Sequence, residues 1–157
     1  MSLLPFFQWM NDLPFNKVLR TSDWLNPANN VLHLLSLVVF AGALLIVDLR
    51  LLGRGLTQEP LADVARNAQP WLIGGFVGLL VTGIPALTAS AMMQYYNSTF
   101  WLKMDILLVG LLFTSTVRHK VARADEGRVG HWAKVVGLVS IALWAGVAMS
   151  ARLISFR

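Results

Sequence analysis

A handful of residues in this 157-residue sequence could do chemistry: His33, Asp48, Lys103, Asp105, His119 and His131. All lie inside or at the edge of long apolar runs, where an ionisable group is costly and needs a partner or a task. His33 and Lys103 each follow the start of their run by one to two helical turns. Met92, Met93, Met104 and Met149 fall at the same level. Two kinds of metal chemistry fit such a set. One is a b-type haem iron held by His33, as bundles hold haem between facing helices, with Lys103 as a second polar contact or a propionate partner. The other is a copper(I) site, because imidazole and thioether are soft enough for that ion. Against both stands a plain structural reading. His33 would bond a neighbouring helix, the methionines would fill gaps, and Lys103 would snorkel to the surface.

Lys103 and Asp105 are two apart, so they point to different sides of a helix. Asp105 is expected to face the interior, where it could meet His33. His119 and His131 bracket a basic connection and could ligate a second metal or haem, or simply be solvated. A straight third helix separates His33 and His119 in depth by roughly 20 Å at 1.5 Å per residue, so one iron cannot take both. Asp48 is expected to accept hydrogen bonds from a basic residue of the connections and so pin the end of its helix.

The elements that must carry these residues are apolar helices. Hydrophobic residues make up 56% of the chain and mean hydropathy is +0.61. Charged residues are 13%, against about 25% in soluble domains. Four blocks are long enough for the ~20 residues that a spanning helix needs, and none alternates as barrel strands do. The expected fold is therefore all-α, an integral membrane four-helix bundle with spans at about 27–52, 70–93, 99–117 and 132–152. Asn26-Pro27 and Pro70 read as helix starts. Residues 1–26 carry Phe6, Phe7, Trp9, Phe15 and Trp24 but are broken by Pro5 and Pro14. They read as an interfacial segment on the outer surface, with no cleavable leader. Gly74 with Gly78, and Ala142, Gly146 and Ser150, form small-residue stripes for helix packing or a dimer.

Charge placement sets an expected orientation. The connections after the first and third spans hold Arg50, Arg54, Arg66, Arg118, Lys120, Arg123, Arg128 and Lys134. The other side keeps Lys17, Arg20, Lys103, Arg152 and Arg157. Positive loops stay inside, so both termini are expected outside, in the periplasm of a bacterial inner membrane. The net charge of +5 flanks apolar spans and lines no polar face, so nucleic acid is not an expected partner. Cysteine is absent, which excludes disulfides and thiolate chemistry. No phosphate loop, HExxH or nucleophile elbow occurs, and the intramembrane charges are too few for a proton relay across the bilayer.

Several segments resemble an uncharacterised bacterial family of four-helix membrane proteins. They are Ser22-Asp23-Trp24-Leu25-Asn26-Pro27, Val31-Leu32-His33, Thr82-Gly83, Phe100-Trp101-Leu102-Lys103-Met104 and His119. The most specific is Asp48-Leu49-Arg50-Leu51-Leu52-Gly53. More distantly, the order of an early histidine, Phe40-Ala41-Gly42, and aromatic-Leu-x-Lys opening the third span, closed by His119, is similar to HemJ-type protoporphyrinogen oxidases and to CopD copper-resistance proteins. The first likeness implies that His33 and Lys103 contact b-type haem. Asn30, where a lysine is expected, and the displaced Arg50 depart from that pattern and bear on the oxidase chemistry. The function expected is a membrane-embedded b-type haem protein acting in redox or electron transfer, with His33, Lys103 and His119 as cofactor-binding candidates. The alternatives are a cofactor-free accessory subunit of a larger membrane complex, or a homo-oligomer, and a CopD-like copper transporter.

Overall fold

The computed structural model describes residues 3–123 and 130–154. Of the cations counted above, Arg128 and Arg157, and the side chains of Arg123 and Arg152, lie outside the described set. The chain is an all-α, multi-pass membrane protein. Its helices are α1 (Leu4–Asn11), α2 (Pro14–Thr21), α3 (Leu25–Leu51), α4 (Leu61–Ala89), α5 (Ala91–Tyr95), α6 (Ser98–Phe113), α7 (His119–Arg123) and α8 (His131–Ile154). A π-helical turn, Thr114–Arg118, joins α6 to α7. Four stretches are long and apolar enough to cross a bilayer: Leu25–Leu51, Leu61–Ala89, Ser98–Ala122 and His131–Ala151. In hydrocarbon each backbone donor and acceptor must be satisfied within the segment, which is why such sequences fold as helices.

The bundle has an arm end, where α1, α2 and α5 gather, and a loop end, where α3 gives way to α4. The central helix is α3, which packs on α4 along its length and on α8, while α6 packs on α8. Glycines set the α3–α4 contact. A Cβ on Gly75 would sit 2.7 Å from the Phe40 backbone nitrogen, and one on Gly78 would collide with the Ser36 hydroxyl. Gly74, expected on this stripe, faces open space. The contact therefore runs through Gly75, Gly78 and Gly83, keeping Gly78 of the expected stripe and taking Gly75 in place of Gly74. Phe40 is buried between Phe76 of α4 and Trp144 of α8, with ring centroids 6.0 and 4.8 Å away. Trp144 also rests near Gly110 of α6 and donates to Thr114 Oγ1.

Two boundaries differ from expectation. Helix α4 begins at Leu61, straight after Pro60, and runs through both Pro70 and Pro85. Proline forfeits one backbone hydrogen bond, yet in a buried or lipid environment neighbouring groups can take up the freed carbonyl. The amino-terminal segment is two short helices, each opened by a proline in its first turn. They are docked on the bundle by Asn16, which is 1% exposed. Its amide donates to Met10 O at 2.6 Å and Thr88 O at 3.0 Å, while its carbonyl accepts from Thr88 Oγ1 at 2.9 Å. Phe7 and Met10 then pack against Ala91 and Phe100.

Candidate functional site

At the arm end, His33 of α3 lies against Thr82 of α4, with Nδ1 and Oγ1 2.7 Å apart. Thr82 Oγ1 also lies 2.7 Å from Gly78 O. With its one proton given to Gly78 O, Thr82 accepts from His33 Nδ1–H, and the neutral ring then carries its lone pair on Nε2. A ring nitrogen fixed by a neighbour, leaving the other as a base or ligand, is the usual arrangement of a metal-bound histidine. Gly83 makes room for it, since a Cβ there would stand 3.3 Å from His33 Cε1. Asn29, one turn earlier on α3, donates to Thr82 O at 3.0 Å and fixes the same crossing.

Lys103 of α6 is half-buried. Antiparallel pairing of Ile106 with Gly146 and of Phe40 with Trp144 brings His33 and Lys103 to one level, as their positions in the sequence imply. Asp105 is not the inward residue. It is exposed, because a step of two residues turns it about 200° from Lys103 and away from the interior. The methionines divide. Met92 and Met104 pack on the aromatic cluster beneath the arm, and Met93 and Met149 are 75% and 68% exposed.

His119 is at the loop end, beside Arg118. Arg118 reaches Asp48, fifteen residues along α3 from His33, roughly 22 Å at 1.5 Å per residue. His33 and His119 are thus in separate regions. His131 is exposed. Among the described residues, no three of His, Asp and Glu gather into a cluster that could hold a metal ion.

The loop end has its own polar centre. Arg118 Nε donates to Asp48 Oδ1 at 2.6 Å, and both side chains are nearly inaccessible. Ser140 donates to the other carboxylate oxygen at 2.7 Å, and Arg118 Nη2 donates to Leu44 O at 3.0 Å. The pair ties α3, α8 and the α6–α7 junction together. Asp48 thus meets the basic partner expected of it. The π turn, which the sequence reading lacks, places Arg118 there by inserting one residue into the helical count. Ser115 and Thr116 donate their hydroxyls to Leu111 O and Leu112 O beside it. A run of Thr114-Ser115-Thr116 in an apolar helix is the signal that could have marked it.

The Asp48-Leu49-Arg50-Leu51-Leu52-Gly53 run is accounted for by the same end of α3. Arg50 holds the following loop through Glu59 O at 2.8 Å, and Leu51 is fully buried. Gly53 has φ of 71°. Its N–H bonds Arg50 O, and that of Arg54 bonds Leu49 O, which closes the helix in a Schellman turn that favours glycine at this position. The most specific stretch of the chain is thus architectural.

A family model matches residues 6–157. The chain belongs to the DUF6644 family of unknown function. Comparison with curated proteins and with solved structures finds no match. Membership in DUF6644 agrees with the resemblance to an uncharacterised family, and the likeness to HemJ and CopD proteins gains no support from these comparisons. For this DUF6644 chain a cavity of about 480 Å³ lies between α3 and α4, lined by Gly42, Ile46, Glu59, Asp63 and Trp71 among others. It shares no residue with the His33 site, which is therefore argued from its side chains alone.

Proposed function

We propose that the arm-end site of His33, Thr82 and Lys103 holds a b-type haem and that the protein serves redox or electron transfer within the membrane. The observation that carries this reading is the placement of His33, whose Nδ1 is engaged by Thr82 Oγ1 so that Nε2 is the ring nitrogen left for a ligand. Haem bound there would supply one-electron chemistry. His33 would bind the iron, Thr82 would hold the imidazole in its tautomer, and Gly83 leaves the ring its room. Lys103 would neutralise a propionate or make a second polar contact to the haem. The cluster of Phe7, Phe100 and Trp101, whose rings lie 5.7–6.4 Å apart by centroid, would keep water from the site at this end. His119 belongs to no part of this site. With the greater share of cations at the loop end, that end would face the cytoplasm and both termini the periplasm.

The purified protein should show a Soret band, as isolated or after haem supplementation. His33→Ala should abolish it. Thr82→Val removes the acceptor for Nδ1–H and should weaken haem retention about 10–100-fold, the usual effect of losing such a supporting bond, while Thr82→Ser should keep it. A protein with no Soret band under either condition, or a His33→Ala spectrum identical to wild type, rules the proposal out.

A further inference from the structure

Asp105 is the feature that neither the arm-end site nor the loop-end ion pair uses. It is exposed on α6 and has no hydrogen-bond or ionic partner among the described residues. The span containing it, Ser98–Ala122, has 25 residues and is about 37 Å long at 1.5 Å per residue. Asp105 lies about 10 Å from its first residue, inside an apolar layer of about 30 Å. An aspartate stem is too short to reach the headgroups as lysine and arginine do. Around it the outer face of α6 is apolar, with Leu102, Leu108, Val109 and Leu112 all more than half exposed. Of the four spans, α6 is the least buried, with 11% of its apolar window covered by the bundle against 17–33% for the others. A carboxylate facing acyl chains is costly, and the ordinary resolution is a donor on a neighbouring helix.

We infer that this face of α6 is an assembly surface for a spanning helix of a different membrane protein, one that brings a lysine, arginine or other strong hydrogen-bond donor to the depth of Asp105. A second copy of this chain is the poorer occupant. A twofold contact through α6 would set the two Asp105 carboxylates against each other. The described cations of the arm end are committed or displaced: Lys103 is half-buried, about 160° around α6 from Asp105, Arg20 binds Ala89 O and Asn11 Oδ1, and Lys17 is on the surface helix α2.

The test is photo-crosslinking in native membranes from a benzophenone amino acid at Leu108, one turn from Asp105 on the same face. The expected product is one adduct with a different membrane protein whose spanning segment contains a cationic or strongly donating residue at matching depth. Asp105→Leu should lower its yield by about tenfold or more, equivalent to ~1.4 kcal/mol per decade. Because Asp105 is exposed, that variant should keep the wild-type unfolding midpoint. Pairing Asp105→Lys with an aspartate in place of the partner's cation should restore the adduct. An adduct with a second copy, adducts with lipid alone, or a yield unchanged by Asp105→Leu would overturn the inference.

Discussion

The two polar centres differ in what a single side chain is asked to do. At the loop end Asp48, Arg118 and Ser140 satisfy one another, so each residue holds the others in a medium that punishes an unpaired charge. Removing one partner of a buried pair leaves the other uncompensated, at a typical cost of about 3–5 kcal/mol. Arg118→Ala and Asp48→Ala should each destabilise the protein by that order, seen as a clearly lower thermal unfolding midpoint in detergent. Asp48→Leu combined with Arg118→Leu should recover much of the loss, and a double variant no more stable than the singles would contradict this. At the arm end, by contrast, the hydrogen bonds of His33 leave one ring nitrogen in reserve. That asymmetry is why His33, and not Asp48, carries the functional proposal.

At the scale of the helices, two geometric devices place these side chains. The first is the close crossing of α3 and α4 at Gly75. Gly75→Ala should force the helices apart against the Phe40 backbone, costing about 1–3 kcal/mol as overpacking does. Gly74→Ala, one residue away and facing open space, should leave the stability within about 0.5 kcal/mol of wild type. Equal effects in the pair would disprove the crossing. The second device is the π turn. Deleting Ser115 should return the turn to α-helix and leave Arg118 facing Asp48, because the π turn of Thr114–Arg118 absorbs its extra residue within the same rotation. The expected destabilisation is smaller than that of Arg118→Ala. A loss matching Arg118→Ala would show that the extra residue is itself needed to aim Arg118. Sequence periodicity located these helices well, since apolar length is a property of the chain alone. It missed the extra residue of the π turn and named Gly74 where its neighbour Gly75 joins Gly78 in the contact, because both depend on which neighbour a face meets.

Over the whole molecule, the amino-terminal arm couples distant parts of the chain. Asn16 connects α2 to residue 88 at the far end of α4, and Phe7 covers the arm end next to Phe100 and Trp101. Replacing Asn16 by leucine leaves Thr88 and Met10 O without their partner, a loss of about 1–3 kcal/mol. The arm should then be cut readily by protease in intact proteoliposomes or detergent, while the four spans keep their helix content by circular dichroism. An arm equally resistant in the variant would show that its docking rests on the aromatic contacts instead.

The sequence by itself determined four apolar helices, the level shared by His33 and Lys103, the separation of His33 from His119, and the need of Asp48 for a basic partner. These follow from counting along helices of fixed rise and from the cost of charge in hydrocarbon. Only the tertiary structure decided that Arg118 is that partner, that Lys103 is half-buried while Asp105 is exposed, and that Thr82 engages the imidazole at Nδ1. Each of these rests on the rotation of one helix against another. In a bilayer both faces of a helix are apolar, so hydropathy records where a span lies but leaves its rotation to packing.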